Sequence, residues 1–96
     1  MAFGITHKFP GGTKEQYDAS VEVVHPPGGL PQGQTQHYAG PTEDGGWLVV
    51  AIWDSKDSFE KFRDETLMPG LQGLGDKGLP GPPEETTFEI DTEKSG

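Results

Sequence analysis

Three histidines and one tyrosine are the side chains in this 96-residue sequence best suited to moving a proton near neutral pH: His7, His25, His37 and Tyr38. His7 stands among Phe3, Ile5 and Phe9 in a run that alternates with Gly4, Thr6 and Lys8, so its imidazole falls on an otherwise apolar face. A buried imidazole needs a hydrogen-bond partner and can serve as a proton shuttle. A core histidine satisfied by a backbone carbonyl or by Tyr38 answers the same pattern equally well. His25 follows a helical stripe and precedes Pro26; it either faces a cavity from the rim or, more simply, complements the end of the helix. His37 alternates with Tyr38 and is expected on the opposite side of its strand.

Metal chemistry finds little support in these residue types. The chain has no cysteine, no pair of histidines at helical spacing and no acidic calcium loop. The run Asp54-Ser55-Lys56-Asp57 is explained by a helix cap. The pairs Gly11-Gly12, Gly28-Gly29 and Gly45-Gly46 lack the spacing of a phosphate loop. Seven basic residues against 16 acidic ones give a net charge of −9, which opposes nucleic acid and anionic membrane surfaces as partners. The N-terminal MAFGITHKFP has neither the basic start nor the apolar stretch of a secretion signal, and no apolar run reaches membrane-spanning length. A cytoplasmic protein of one small domain, 1–96 with a tail at 92–96, is the expectation.

The elements that must position these groups follow from periodicity. Only 30% of residues are hydrophobic, and 15 glycines and nine prolines punctuate the chain, yet the apolar residues are gathered into periodic segments. Phe3 to Phe9 reads as a strand closed by Pro10-Gly11-Gly12. Thr13 with Gln16 forms a capping-box pattern, and Tyr17, Val21 and Val24 make the apolar stripe of a helix from about Lys14 to Val24. Gln34 to Gly40 is a polar, edge-like strand that turns back through Pro41 to Gly45 onto Trp47 to Trp53, seven apolar residues of a central strand. Pairing Gly40 with Gly46 sets Tyr38 opposite Leu48 and His37 opposite Val49. A second helix follows from Ser55 to Leu67, with Phe59, Phe62, Thr66 and Leu67 on one face. Met68-Pro69-Gly70 interrupts it, Leu71 and Leu74 suggest one more turn, and GLPGPP at 78–83 is too short for a triple helix. Thr86 to Asp91 is the last strand.

The order β, α, β, β, α, β is a ferredoxin-like split βαβ plan, an α+β fold with a four-stranded antiparallel sheet and both helices on one face. The central strand is apolar on both sides: Leu48, Val50 and Ile52 face one way, Trp47, Val49, Ala51 and Trp53 the other. Helices cover one side only, so a second copy is expected on the other, with the two tryptophans and His37 assigned to that interface. In this strand order His7 and His37 flank the central strand, about 10 Å apart, too far to share a metal ion.

These features, with the GGT-x-x-Q-Y opening of the first helix and the V-V-x-x-W-D-S junction, resemble the dimeric α+β barrel superfamily, nearest to small actinobacterial-type members and more distantly to antibiotic-biosynthesis monooxygenases. The resemblance spans Phe3 to Asp91. It implies a homodimer with a pocket between sheet and helices in each subunit, for which Ile5, His7, Tyr38, Val50, Ile52, Phe59, Phe62 and Phe88 are the helix-facing candidates. His7 and Tyr38 are the candidate catalytic residues, and His25, Ile52, Phe59 and Phe62 the candidate ligand-binding ones. Haem-degrading members carry a histidine ligand on the second helix, and Ser55 to Leu67 has none, so no cofactor is expected. The resemblance points to cofactor-independent oxygenation or isomerisation of a small aromatic or polyketide-like compound. The alternative is a non-enzymatic stress-response or interaction module whose core is simply filled.

Overall fold

The computed structural model describes residues 2–25, 28–79 and 83–94, and the side chain of Asp76 is not among what it describes. The prolines at 26–27, residues 80–82 of the GLPGPP segment and the last two residues of the expected tail lie outside those residues. The first strand, β1, covers Phe3–Phe9 and helix α1 covers Lys14–Val24. At its start the Thr13 hydroxyl accepts from the Gln16 N–H at 3.2 Å and the Gln16 side chain accepts from the Thr13 N–H at 3.0 Å, closing the capping box. Strands β2 (Gln34–Pro41) and β3 (Trp47–Trp53) form a hairpin, and β4 covers Glu84–Glu89, two residues earlier than its alternation suggested.

The segment after β3 departs from the expected single helix with a break. Helix α2 spans Lys56–Phe62, a π-helical turn covers Arg63–Leu67, and helix α3 runs from Met68 to Leu74 before a 3₁₀ turn at Gly75–Lys77. Pro69 does not end the helical run: Leu67 and Met68 keep right-handed helical backbone and the Met68 N–H donates to Arg63 O five residues back, so the wide turn closes just before the position where proline supplies no N–H. Gly70 lets α3 approach α1, since a Cβ there would sit 2.9 Å from Val24 Cγ1.

The four strands form one antiparallel sheet in the order β2-β3-β1-β4. Gly40 stands opposite Leu48, Tyr38 opposite Val50 and His37 opposite Ala51, a shift of two residues from the hairpin register expected. The turn explains it: the Thr42 N–H donates to Gly46 O at 2.9 Å, so the ladder continues through Pro41 and Trp47 instead of stopping at Gly40.

Register also decides the faces, and here the expectation is corrected. Phe3, Ile5 and His7 pair with Trp53, Ala51 and Val49, and residues paired across an antiparallel ladder project to the same side. The tryptophans therefore lie beneath the helices with Phe3, Ile5 and Phe59, Trp53 being only 1% exposed. Leu48, Val50 and Ile52 take the other side with Tyr38 and Phe88, which are 60% and 43% exposed. On that side the Phe88 ring covers Gly4, where a Cβ would come within 2.4 Å of it. Alternation alone cannot assign the sides, because β3 is apolar on both.

Candidate functional site

Between the helix-covered side of the sheet and the helices lies a cavity of about 210 Å³. Its walls are mostly apolar, with Ile5, Val49, Trp53, Phe59, Phe62 and Leu71 prominent, and its imidazoles, with the groups around them, fall into two sets.

The first set is built on β1 and β4. His7 Nε2 lies 2.8 Å from Glu85 Oε2, its directly paired neighbour on β4. Aromatic rings stand on two sides, Phe9 at 6.2 Å and Phe59 at 6.4 Å between centroids. A carboxylate oxygen only accepts, so Nε2 carries hydrogen and Nδ1 is left as the proton-accepting nitrogen of the neutral ring. Arg63, at the start of the π-helical turn, lines the same space with its guanidinium carbon 5.7 Å from the Phe59 ring centre. It is held from outside by Asp64 at 3.0 Å. The wider π turn, a feature that recurs at functional sites, brings both Arg63 and Leu67 into the lining.

The second set depends on an irregularity in β2. A bulge between Gln34 and Gln36 leaves Thr35 unpaired, so Gln34 and His37, three apart in sequence, both turn toward the helices. His37 Nδ1 lies 2.8 Å from Gln34 Oε1 and His37 Nε2 lies 2.6 Å from Tyr17 Oη of α1. The His25 ring stands edge-on to His37 at 4.8 Å. Burial, and then the proximity of His25, pushes the His37 pKa down to about 4, and burial lowers that of His25 as well. Burial raises Tyr17, which keeps it a phenol.

A pH dependence follows. With its folded pKa below the ordinary 6.5, His37 contributes stability that is complete above pH 6.5 and lost as pH falls through about 4. The ring is half-exposed, so the contribution after solvent screening is on the order of 1–2 kcal/mol. Urea denaturation at a series of pH values will show wild-type stability falling across this window, and His37→Leu will fall less steeply. Parallel curves for the two proteins would rule out His37 as the cause.

A second concavity of about 580 Å³ lies outside the first, between the loop at 31–33 and α2, and shares Val24, His25 and Phe62 with it. It is bordered by Asp54, Ser58, Lys61 and Glu65 and holds none of the paired imidazoles except His25. The chemistry is concentrated in the smaller, better-enclosed space.

Of the residues singled out from sequence, His7, His25, Phe59 and Phe62 line the inner cavity together. Tyr38 and Ile52 project from the opposite side of the sheet and are absent from its lining. His37, expected at a subunit interface because it shares a side with the tryptophans, does share that side, but the helices cover it. Tyr17 was legible only as part of a helical stripe, and Glu85 fell just before the expected strand. A polar ring on an apolar stripe was the available signal for Tyr17.

No protein-family model matches the chain, and no curated protein matches it. Among solved structures it is similar to Rv0793 of Mycobacterium tuberculosis, at 13% identity and a TM-score of 0.72, covering 99% of this chain and 100% of that one. It is also similar to a variant of SnoaB, a cofactor-independent oxygenase from Streptomyces nogalater, at 13% identity and a TM-score of 0.66, covering 96% and 95%. A variant of MhuD carrying two manganese protoporphyrin IX molecules per active site matches at 16% identity and a TM-score of 0.64 over the whole of both chains. At these identities the likeness is one of fold, the ferredoxin-like α+β fold of antibiotic-biosynthesis-monooxygenase domains.

Proposed function

We propose that this chain binds a small aromatic molecule in the inner cavity and acts on it as a cofactor-independent monooxygenase or isomerase. The observation that carries the reading is the cavity itself, an aromatic-walled space of about 210 Å³ whose lining includes an imidazole backed by a carboxylate. Glu85 fixes the His7 tautomer, leaving Nδ1 to accept a proton from an acidic C–H or O–H of the ligand. Apolar walls strip water from the resulting anion, which then either takes the proton back at another carbon or gives electrons to dioxygen. In the second case a methylene carbon and one O₂ yield a ketone and one water, with all the electrons supplied by the substrate.

Ligand sites usually measure about 300–1,000 Å³, so the inner cavity suits one or two fused rings. A larger polyketide-like molecule would extend past Val24, His25 and Phe62 into the outer groove. A porphyrin does not fit the residues present: the cavity is too small for the macrocycle and 55–67 holds no histidine. The SnoaB likeness supports an oxygenase by analogy of fold. The alternative, a stress-response or interaction module with a filled core, is disfavoured by the open space beside His7. Dioxygen uptake with hydroxylated one- and two-ring aromatics, in the presence of a chelator and no added cofactor, is the test. Binding without turnover across such a panel would remove the enzyme reading.

The proposal includes a homodimer in the cytoplasm, joined through the open side of the sheet. Leu48, Val50, Ile52, Tyr38 and Phe88 form an apolar surface there that no helix among the described residues covers. Sedimentation at micromolar concentration will give twice the 10.3 kDa chain mass. A clean monomer would remove the dimer. Among the described residues no helix is long and apolar enough to cross a membrane.

A further inference from the structure

We infer that the Tyr17 hydroxyl accepts a hydrogen bond from a molecule in the cavity and offers none, so that the ligand it selects is an aromatic carrying a hydroxyl beside it. The inference rests on the reading of the inner cavity as an aromatic-ligand site.

The argument is an account of hydrogens. Gln34 Oε1 is a carbonyl oxygen and can only accept, so the 2.8 Å contact requires a hydrogen on His37 Nδ1. A neutral imidazole with hydrogen on Nδ1 has a bare lone pair on Nε2. The 2.6 Å contact from Nε2 to Tyr17 Oη therefore uses the only hydrogen the phenol has. Gln34, the anchor of the chain, is 9% exposed and is itself fixed by its backbone N–H bond to Pro31 O at 3.0 Å. What Tyr17 can present to a group in the cavity is oxygen lone pairs.

A ligand hydroxyl satisfies that oxygen. An ether or ketone at the same place sets lone pair against lone pair, and a polar site rejects an analogue that leaves its groups unpaired far more strongly than an apolar site rejects a change of size. His7 and His37 stand on the two strands flanking β3, opposite Val49 and Ala51, so two interstrand spacings and a two-residue offset set their backbones roughly 12 Å apart, a span within reach of a two-ring compound hydrogen-bonded at both ends. The ligand would then meet a proton acceptor at each end: Nδ1 of His7 and the oxygen of Tyr17.

The experiment compares 2-naphthol, 2-methoxynaphthalene and naphthalene binding to the full chain by titration calorimetry near neutral pH. Wild type should bind the naphthol about ten- to a hundredfold more tightly than the ether. Tyr17→Phe should bring the two within about twofold while naphthalene still binds. Nitrogen NMR of histidine-labelled protein should show His37 with hydrogen on Nδ1, and Gln34→Leu should shift it toward the other tautomer. Equal binding of naphthol and ether by wild type, or hydrogen on His37 Nε2, would overturn the inference while naphthalene binding left the cavity reading standing. Failure of all three aromatics to bind would remove that reading and the inference with it.

Discussion

Trp53→Ala will destabilise the protein by about 3–5 kcal/mol, the usual range for deleting a buried large aromatic. Trp53 is 1% exposed and packs against two rings of α2, Phe59 at 5.8 Å and Phe62 at 5.1 Å between centroids. Its cross-strand neighbours are Phe3 on β1 and Gln34 on β2, so one side chain ties both inner strand pairs to the helix layer. The void left by alanine cannot close easily, because the ladder fixes the backbone on both sides. It also merges with the existing cavity, so the variant should admit larger aromatics than wild type.

The indole N–H of Trp53 is buried and has no partner among the described residues. An unpaired buried donor works against stability, so the tryptophan is held for its area and shape. Trp53→Phe keeps most of that area and removes the orphan donor, and should cost less than about 1.5 kcal/mol. Urea denaturation of both variants checks the pair, with the midpoint shift converted through the measured slope. Similar losses from alanine and phenylalanine would mean that the indole nitrogen, and not packing, matters.

The elements of this fold were legible because each carries its own signal. Thr13 and Gln16 specify where α1 starts, and seven consecutive apolar residues can scarcely be anything but an inner strand at Trp47–Trp53. Which side of that strand meets the helices was not legible, since Leu48, Val50 and Ile52 are as apolar as the residues between them. The β1–β3 register settles it by setting Phe3, Ile5 and His7 opposite Trp53, Ala51 and Val49, whereas the two-residue shift at the Thr42 turn leaves the sides of β2 and β3 as they were. Exchanging the two sides moved Tyr38 and Ile52 away from the cavity and brought His37 into it.

The candidate site was legible in half for a related reason. His7 betrays itself as an imidazole on an apolar face of β1, but its partner, Glu85, lies 78 residues away and comes beside it only through the β1–β4 pairing. The Gln34, His37 and Tyr17 group needs a bulge that no local pattern in QTQHYAG announces. The π turn at Arg63–Leu67 likewise has no counterpart in the periodicity, because a single wide turn barely alters the spacing of Phe59, Phe62 and Leu67.

His7→Ala is expected to lower turnover of an accepted aromatic substrate by about 10²–10⁴-fold, the range for loss of a positioned general base. The variant should keep the fold, because the His7 side chain contributes one hydrogen bond to an exposed carboxylate and is not part of the tightly packed group around Phe3, Ile5 and Trp53. Glu85→Gln gives a smaller loss: its amide oxygen can still accept from Nε2–H and hold the same tautomer, but the charge that stabilises a protonated His7 is gone. Glu85→Ala removes both and should fall between Glu85→Gln and His7→Ala. A structural role for the dyad predicts a different order, with the two alanine variants losing stability together and residual turnover tracking the folded fraction. Dioxygen uptake measured beside urea midpoints separates the two accounts, and an unchanged rate in folded His7→Ala would rule out His7 as the base.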